Sequence, residues 1–467
     1  MDEQRTNRYT NPRRRKRSEF EIFKESYLPV IIAGVALLLI LAFIIGSIVR
    51  SVQYKNYEKQ LAEIAAAAAS NEAAQLEAEA NSLLKTAAYH AEQYDYDTAL
   101  SVLNSFSGDI TANASLQAAV QKYTTAKESM ILWNDPSQVL NLSFQLLIAD
   151  PARAFTHHTY ANSFNRNFVT TEEFIKILQQ LYENGFILVR MSDITDGTTP
   201  KDLYLPNGKK PLILTQTNVN YNTYIVDGDG DKLADKNGGG FASKLVIDEN
   251  GNLACEYIDA DGTVVTGPYD LVPILDSFVE THPDFSYRGA KATLALTGYD
   301  GLFGYRTSKK AQEYFGTAYY NEQVAGASQV AQALRSAGYE FACYTYSNEE
   351  YGALSATEIM EELTTWEREV TPIIGTVNTL VFAQNSDIAS TTAAYSGEKF
   401  NVLKSFSFTH FIGFCTDGQP WFTAGSDHIR QGRILVTGSN LAHKASWFEG
   451  ILDSSSVLDR TRGTIPG

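Results

Sequence analysis

The sequence contains few of the residues that build metal centres and nucleophilic active sites. Its 467 residues include only three cysteines, Cys255, Cys343 and Cys415, and no CxxC or CxxH spacing. This argues against a structural zinc site and predicts buried free thiols, with one disulfide left open if the domain lies outside the cytoplasm. Walker A, HExxH and GxSxG motifs and a GxGxxG following a strand are also missing. There is thus little support for a nucleotide-binding protein, a zinc protease or a serine hydrolase.

Basic residues are scarce in the body of the chain. The formal net charge is −16, although residues 1–26 hold eight Lys and Arg against five Asp and Glu. A surface that binds nucleic acid needs clustered cations. Nucleic acid is therefore not expected as a partner of the main body.

One long apolar run lies near the N-terminus. The 22 residues from Leu28 to Val49 carry no charge, and a helix of that length spans a hydrocarbon layer of about 30 Å. The flank before it is basic and includes the run from Arg13 to Arg17. This asymmetry predicts a cytoplasmic tail over residues 1–26, a transmembrane helix over 27–50 and an extracytoplasmic remainder. We therefore expect a single-pass protein of the cell membrane.

Proline is absent from residues 51–133, and glycine occurs there once. The segment is rich in Ala, Glu, Gln and Leu, which favour helices. This composition predicts an α-helical stalk or a small helical hairpin over residues 51–135. A coiled-coil dimer is the alternative, although a clean heptad does not persist.

From residue 136 to 467, apolar strand-like runs alternate with amphipathic helices. About eight strands are expected, and the alternation predicts a parallel, barrel-like α/β domain. Capping boxes open two of the helices, from Thr170 to Glu173 and from Ser355 to Glu358. The strand PLILTQTN, residues 211–218, ends in hydroxyl and amide side chains. In barrels of this kind the C-terminal end of a strand is where the chemistry takes place.

Several strings in this region resemble the polysaccharide deacetylases, the NodB-like carbohydrate esterases, and in particular their membrane-anchored bacterial branch. The resemblance covers roughly residues 137–460, and its strings are TTEEFIKILQQLYENGFILVRMSDI, PLILTQTNVNY, YDLVPILDSFVETHPDFSYRGAKATLALTGYDG, LRSAGYEFACYTYSN and SSSVLD. It implies a distorted (β/α) barrel that removes acetyl groups from cell-wall glycans with one divalent metal. In that family an aspartate and two histidines hold the metal, and a second aspartate is the general base.

The residues at those family positions are different in this chain. The paired aspartates fall on Thr217 and Asn218, and the two histidines fall on Tyr344 and Asn348. Amides and a phenol are poor ligands for a divalent metal, and threonine cannot deprotonate a metal-bound water near neutral pH. The resemblance therefore implies a degenerate, non-catalytic domain in which catalytic zinc is not expected.

An acidic loop is a second candidate site. Asp227, Asp229, Asp231 and Asp235 occupy positions 1, 3, 5 and 9 of DGDGDKLAD. Oxygen ligands at alternate positions suit Ca²⁺, although the glycine and glutamate of an EF-hand are missing. A solvated acidic turn is the alternative interpretation.

Aromatic and polar residues near strand ends are the candidate contacts for a ligand in the substrate groove. They are Tyr221, Tyr299, Asp300, Tyr344 and Trp421. Aromatic rings can present stacking faces, although packing in the core is the commoner role of such residues.

The predicted function is that of a membrane-anchored, extracytoplasmic deacetylase-like protein that binds envelope glycan or a protein partner without catalysis. One alternative is an active, metal-dependent polysaccharide deacetylase. The other is a surface interaction protein organised by calcium.

Overall fold

The computed structural model describes residues 18–133, 135–157 and 159–467. The chain divides into two compact units, Met1–Asn81 and Ser82–Gly467. The basic run from Arg13 to Arg17, predicted to belong to a cytoplasmic tail, lies outside the described residues.

The described chain begins with a long helix. Its first turn, Glu19–Ile22, is capped by Ser18, whose hydroxyl accepts a hydrogen bond from the backbone N–H of Glu21. A π-helical turn then leads into the helix Leu28–Glu92, which contains the span predicted over residues 27–50. Its apolar side chains are exposed, Leu38 by 69% and Phe43 by 76%. By length and composition this helix is sufficient to cross a membrane or to serve as a signal anchor.

A helical hairpin follows, formed by Tyr96–Asn104 and Ala114–Glu128. The rings of Tyr96 and Tyr123 stack between its helices with centroids 6.4 Å apart. The backbone N–H of Arg288 donates to the carbonyl of Gln93 at 2.7 Å, just before the hairpin. The hairpin lies in the second compact unit, within the residues 51–135 for which the sequence predicts a helical stalk or a small helical hairpin.

Seven parallel strands form a closed barrel in the second unit. In chain order they are β1 Leu140–Phe144, β2 Lys210–Thr217, β3 Thr293–Leu296, β4 Glu340–Cys343, β5 Thr379–Val381, β6 His410–Phe414 and β7 Ile429–Leu435. Each strand pairs with its neighbours in sequence, and β7 closes the ring by pairing with both β6 and β1. This confirms the predicted parallel, barrel-like α/β class.

Helices connect the strands and pack outside them. Both predicted capping boxes are present, on the helices Thr171–Glu183 and Ala356–Glu369. The remaining helices of this unit are Pro151–Ala154, Ala161–Asn167, Met191–Ile194, Thr223–Val226, Leu271–Thr281, Lys309–Phe315, Thr317–Ser336, Thr371–Ile374, Gly397–Ser405, Gly438–His443 and Ser454–Val457.

About eight strands were predicted, and the barrel sheet contains eight parallel strands, seven of which close the ring. The eighth, Phe186–Leu188, pairs with Lys210–Leu212 at the start of β2, and Leu188 also bridges to Ser286, whereas β3 pairs with Thr215–Thr217 at the end of β2. The short strand therefore lies outside the ring. Smaller sheets stand apart from the barrel: Ile131–Trp133 with Leu203–Leu205, and a meander of Lys244–Ile247, Leu253–Ile258 and Val264–Gly267. A further strand, Phe422–Ala424, runs antiparallel along β7.

Two apolar clusters separate the outside of the barrel from its inside. Leu142 and Phe144 pack outward against the helices, whereas Ile213, Ala295 and Val381 belong to the cluster inside. Because side chains alternate along a strand, Asn141 and Ser143 on β1 point into the barrel. On β7, Ile434 packs outward, so the neighbouring Arg433 points inward. All three cysteines are buried and free, as the sequence predicted.

Candidate functional site

A cavity of about 330 Å³ opens at the C-terminal ends of the barrel strands. Every barrel strand except β3 contributes its end or the loop after it. The lining residues are Ser143, Phe144, Gln145, Ser163, Asn167, Phe168, Thr217, Asn218, Tyr224, Tyr344, Asn348, Gln384, Asn385, Phe414, Leu435, Val436 and Thr437. We call this the mouth cavity.

The mouth cavity is lined by neutral polar groups. Six carboxamides, four aliphatic hydroxyls and two phenols face it, and none of the described lining residues is acidic, basic or a cysteine. Such groups can donate and accept hydrogen bonds without carrying charge. The hydrogen-bonding groups of this lining therefore suit a ligand with many hydroxyl and amide groups.

The first predicted pair of residues lies at the end of β2. Thr217 and Asn218 both line the cavity, and Asn218 has a positive φ of 65°. Its backbone N–H donates to the carbonyl of Ala295 at 2.9 Å, and its Oδ1 accepts a hydrogen bond from Thr297 at 3.1 Å. The amide that replaces the expected aspartate is therefore tied to β3 and the loop after it.

The second predicted pair follows β4. Tyr344 and Asn348 also line the cavity, so the structure brings all four positions taken from the resemblance together. The loop between them is strained, because Thr345 and Asn348 have φ values of 59° and 62°, a region that non-glycine residues rarely occupy. Asn348 Oδ1 is buried and has no hydrogen-bond partner among the described residues, which leaves an acceptor available at the cavity wall.

The mouth cavity does not fit a catalytic zinc ion. Zinc in proteins is held by cysteine, histidine and carboxylate groups, and none of these stands among the described lining residues. Asn218 Oδ1 is already engaged by Thr297, and a carboxamide oxygen beside a phenol is a weak donor set. We therefore derive no metal-dependent step from this site.

The expectation that Tyr221 presents a stacking face is corrected by the structure. Its side chain is only 1% exposed, and its hydroxyl donates to Asp270 at 2.7 Å. The ring belongs to the apolar core cluster that also contains Leu142 and Phe144. Burial and the nearby Asp270 carboxylate raise the pKa of Tyr221 well above its usual value.

Of the other predicted groove residues, Tyr344 lines the mouth cavity, whereas Tyr299, Asp300 and Trp421 are not among its lining residues. Asp300 accepts hydrogen bonds from the backbone N–H and the hydroxyl of Thr223 at 2.9 and 3.1 Å, so it fixes the short helix that carries Tyr224. Burial raises the pKa of Tyr299. Trp421 is half-buried, and its indole N–H donates to the carbonyl of Phe414 at 2.9 Å. Their role as ligand contacts stays a prediction.

Several lining residues escaped the sequence prediction. Ser143 and Gln145 stand at the end of β1, where a polar residue after an apolar strand is a usable signal. Tyr224 and Asn167 come from helices whose sequences give no sign that they approach the barrel. Burial raises the pKa of Tyr224 to about 12, so the phenol remains a neutral hydrogen-bonding group at physiological pH.

The floor of the mouth cavity rests on a buried cation that the sequence did not reveal. The guanidinium of Arg433 on β7 lies 4.0 Å from the ring centroid of Phe414 and 5.7 Å from that of Tyr344, and both rings line the cavity. Burial lowers the pKa of Arg433 to about 10, so the group is still protonated near neutral pH.

A smaller cavity of about 250 Å³ lies at the opposite end of the barrel. Glu340 at the start of β4 lines it, and its carboxylate accepts hydrogen bonds from the backbone N–H groups of Met191 and Ser192. His410 lines it as well, and burial lowers its pKa to about 4. Glu340 thereby caps the short helix Met191–Ile194, which is a structural role at this end of the barrel.

The acidic loop places three of its four predicted carboxylates together. Asp227, Asp229 and Asp235 offer oxygens that all lie within 4.8 Å of one another. Asp231 is not part of this cluster, and its carboxylate accepts a hydrogen bond from the backbone N–H of Leu233. The three grouped carboxylates also accept bonds from the loop backbone, for example Asp227 from Gly230 at 2.6 Å.

Comparisons with known proteins show a similarity in fold to two solved deacetylase structures. No protein-family model and no curated protein matches the sequence. The chain is similar to the solved structure of the deacetylase PplD of Streptococcus pyogenes in complex with acetate, with 11% identity and a TM-score of 0.35 over 65% of this chain and 93% of that one. It is also similar to a de-N-acetylase from Aggregatibacter actinomycetemcomitans, with 11% identity and a TM-score of 0.36 over 67% and 99% of the two chains. Superpositions this loose do not establish shared chemistry.

Proposed function

We propose that this protein is a membrane-anchored, extracytoplasmic, deacetylase-like protein that binds an envelope saccharide in the mouth cavity without hydrolysing it. The observation that supports this is the composition of the cavity wall, which consists of carboxamides, hydroxyls and aromatic rings among its described residues. Sugars present hydroxyl and acetamido groups around an apolar ring face. A wall of amides and hydroxyls with phenol rings complements both kinds of surface.

Catalysis is not part of the proposal because none of the described residues that line the cavity can serve as a general base. Thr217 occupies the position that an ionised carboxylate would need, and its hydroxyl donates to the carbonyl of Phe144 at 3.3 Å. A hydroxyl does not accept a proton from water near neutral pH. The rival, an active deacetylase, requires a base and metal ligands from elsewhere in the chain.

Substitution of Tyr224 tests the binding site directly. Tyr224 lines the cavity and is 39% exposed, so Tyr224→Ala removes a ring face with little effect on the core. We expect binding of soluble acetylated saccharides, both neutral chitooligosaccharides and acidic peptidoglycan fragments, to weaken about tenfold, the effect of losing one aromatic contact. Isothermal titration with the full chain in detergent measures this.

The control is Tyr204→Ala, which removes a tyrosine that is 46% exposed on the ribbon outside the barrel. Binding by this variant should equal that of the wild type. If no saccharide of the panel binds, the proposed function is wrong. Stoichiometric zinc in the purified protein together with acetate release from an acetylated glycan would establish the rival.

A second candidate is supported by the grouping of Asp227, Asp229 and Asp235. Under this alternative the protein is an interaction protein whose acidic loop is ordered by Ca²⁺. At ten times its dissociation constant Ca²⁺ would stabilise the folded state by about 1.4 kcal/mol, a rise in melting temperature of about 2–4 °C.

The measurement is thermal unfolding of the full chain in millimolar Ca²⁺ against millimolar Mg²⁺. Asp229→Ala should abolish the difference. Asp261→Ala, which removes an exposed carboxylate from a different turn, should preserve it. Equal melting temperatures of the wild type in the two ions would eliminate this candidate.

A further inference from the structure

Three buried polar atoms without partners lie inside the barrel, and one of their residues, Ser143, lines the mouth cavity. They are Ser143 Oγ, Asn141 Nδ2 and Arg433 Nε, none of which has a hydrogen-bond partner among the described residues. Their side chains are almost inaccessible, with exposures of 2%, 1% and 0% for the three residues. Buried polar groups of native proteins are nearly always hydrogen-bonded, to protein, to ordered water or to a bound ligand.

The strand register brings the three groups to one place. Leu142 pairs with Ile434, and Ser143 pairs with Leu435. One position earlier on both strands, Asn141 therefore stands beside Arg433. Because side chains alternate, Asn141 and Ser143 share the inner face of β1, and Ser143 lines the cavity.

All three groups can donate a hydrogen bond. Asn141 Oδ1 already accepts from the hydroxyl of Thr215 at 2.9 Å, so its amide N–H remains to be satisfied. The Nη atoms of Arg433 donate to the carbonyls of Ile412 and Phe382, which leaves Nε–H. A serine hydroxyl can donate or accept.

The guanidinium of Arg433 gives these three groups a positive charge, which no carboxylate among the described residues balances. Arg433 forms no ion pair among the described residues, whereas Arg430, on the opposite face of the same strand, pairs with Asp387 at 2.9 Å. An unpaired buried charge is costly, and an anion placed next to it removes much of that cost. Hydrogen-bond donors on residues that neighbour a guanidinium favour a carboxylate as the ligand.

We propose that the mouth cavity takes an acidic saccharide whose carboxylate sits on the floor formed by Asn141, Ser143 and Arg433. This inference rests on the proposed function and narrows it from saccharides in general to those that carry a carboxylate. Ser143 meets the anion at the cavity surface, and Asn141 and Arg433 stabilise it from just beneath.

A matched set of sugars tests the proposal on the full chain in detergent. The probes are N-acetylmuramic acid, its methyl ester, which differs only in the neutralised carboxylate, and N-acetylglucosamine, which shares the ring and lacks the whole lactyl group. We expect the wild type to bind the acid at least tenfold more tightly than the other two, measured by titration calorimetry or ligand-observed NMR. In Arg433→Met the preference should fall to about twofold or less. Lys310→Met removes an exposed surface cation and should leave the preference unchanged.

The ester comparison uses only the wild type, so it stays decisive if Arg433→Met does not fold. Equal binding of acid, ester and N-acetylglucosamine by the wild type would overturn this inference and leave the proposed function standing. A preference for the acid that persists in folded Arg433→Met would also overturn it, because the charge would then lie elsewhere. If none of the three sugars and no glycan fragment binds, both proposals are wrong.

Discussion

Replacing Arg462 with methionine is expected to lower the free energy of unfolding by about 3–5 kcal/mol, the cost of leaving one partner of a buried ion pair alone. Arg462 donates from Nε and Nη2 to the two oxygens of Glu173 at 2.6 and 2.7 Å. The side chains are 1% and 0% exposed. The same guanidinium donates to the carbonyls of Asn165 and Phe168, so it fastens the end of the chain to the helix Thr171–Glu183.

Urea denaturation of the full chain, followed by tryptophan fluorescence, measures this loss. Arg460→Met is the matched control, since Arg460 is exposed two positions away, and it should change stability by less than about 0.5 kcal/mol. The double variant Glu173→Leu/Arg462→Met should recover part of the loss because no charge then remains buried. A loss below about 1 kcal/mol in the single variant would mean that Glu173 finds another partner.

Replacing Asp270 with leucine is expected to cost about 3–5 kcal/mol, because three buried donors lose their acceptor. Asp270 Oδ1 accepts from the backbone N–H of Leu147 and from Gln216, both at 2.9 Å, and its Oδ2 accepts from Tyr221 at 2.7 Å. The residue thereby joins the chain after β1, the end of β2 and the helix Leu271–Thr281. Asp270→Asn keeps an acceptor in place and should cost much less.

The destabilisation caused by Asp270→Asn is expected to depend on pH in a defined direction. Burial raises the pKa of Asp270 to about 6, above the usual value of about 3.9 for an aspartate. A raised pKa means that the folded state takes up the proton first, so the contribution of Asp270 to stability is full below about pH 4 and is lost as the pH rises through about 6. The destabilisation caused by Asp270→Asn should therefore be about 2 kcal/mol larger at pH 4.5 than at pH 7.5. Equal destabilisation at the two pH values would contradict a buried carboxyl that is protonated under acidic conditions.

The elements that could be predicted from sequence are those governed by local rules. The helix Thr171–Glu183 has its capping box and apolar stripe within a single stretch of chain, so nothing distant was needed to place it. The end of β2 was predictable for the same reason, because an apolar run leading into Thr217 and Asn218 marks a buried strand that emerges at a polar site. The structure confirms that these two residues face the mouth cavity together with Tyr344 and Asn348.

The prediction failed where side-chain direction depends on the rest of the fold. Tyr221 follows the same strand end as Asn218, yet it turns into the core to reach Asp270, a residue 49 positions away. Phe186–Leu188 has the composition of a barrel strand, but it pairs with the start of β2, whereas β3 pairs with the end of β2, so it stays outside the ring.

The sequence by itself determined the alternation of strands and helices, the apolar helix near the N-terminus and the uncharged polar residues at the strand ends, because each follows from short-range periodicity and residue type. Only the tertiary structure decided that six strand ends converge on one cavity whose described lining is neutral, that Arg433 lies beneath it without an ion pair among the described residues, and that Glu173 meets Arg462 across 289 residues. Those facts depend on how the strands close into a ring and which groups burial then forces together, and no local pattern along the chain encodes either.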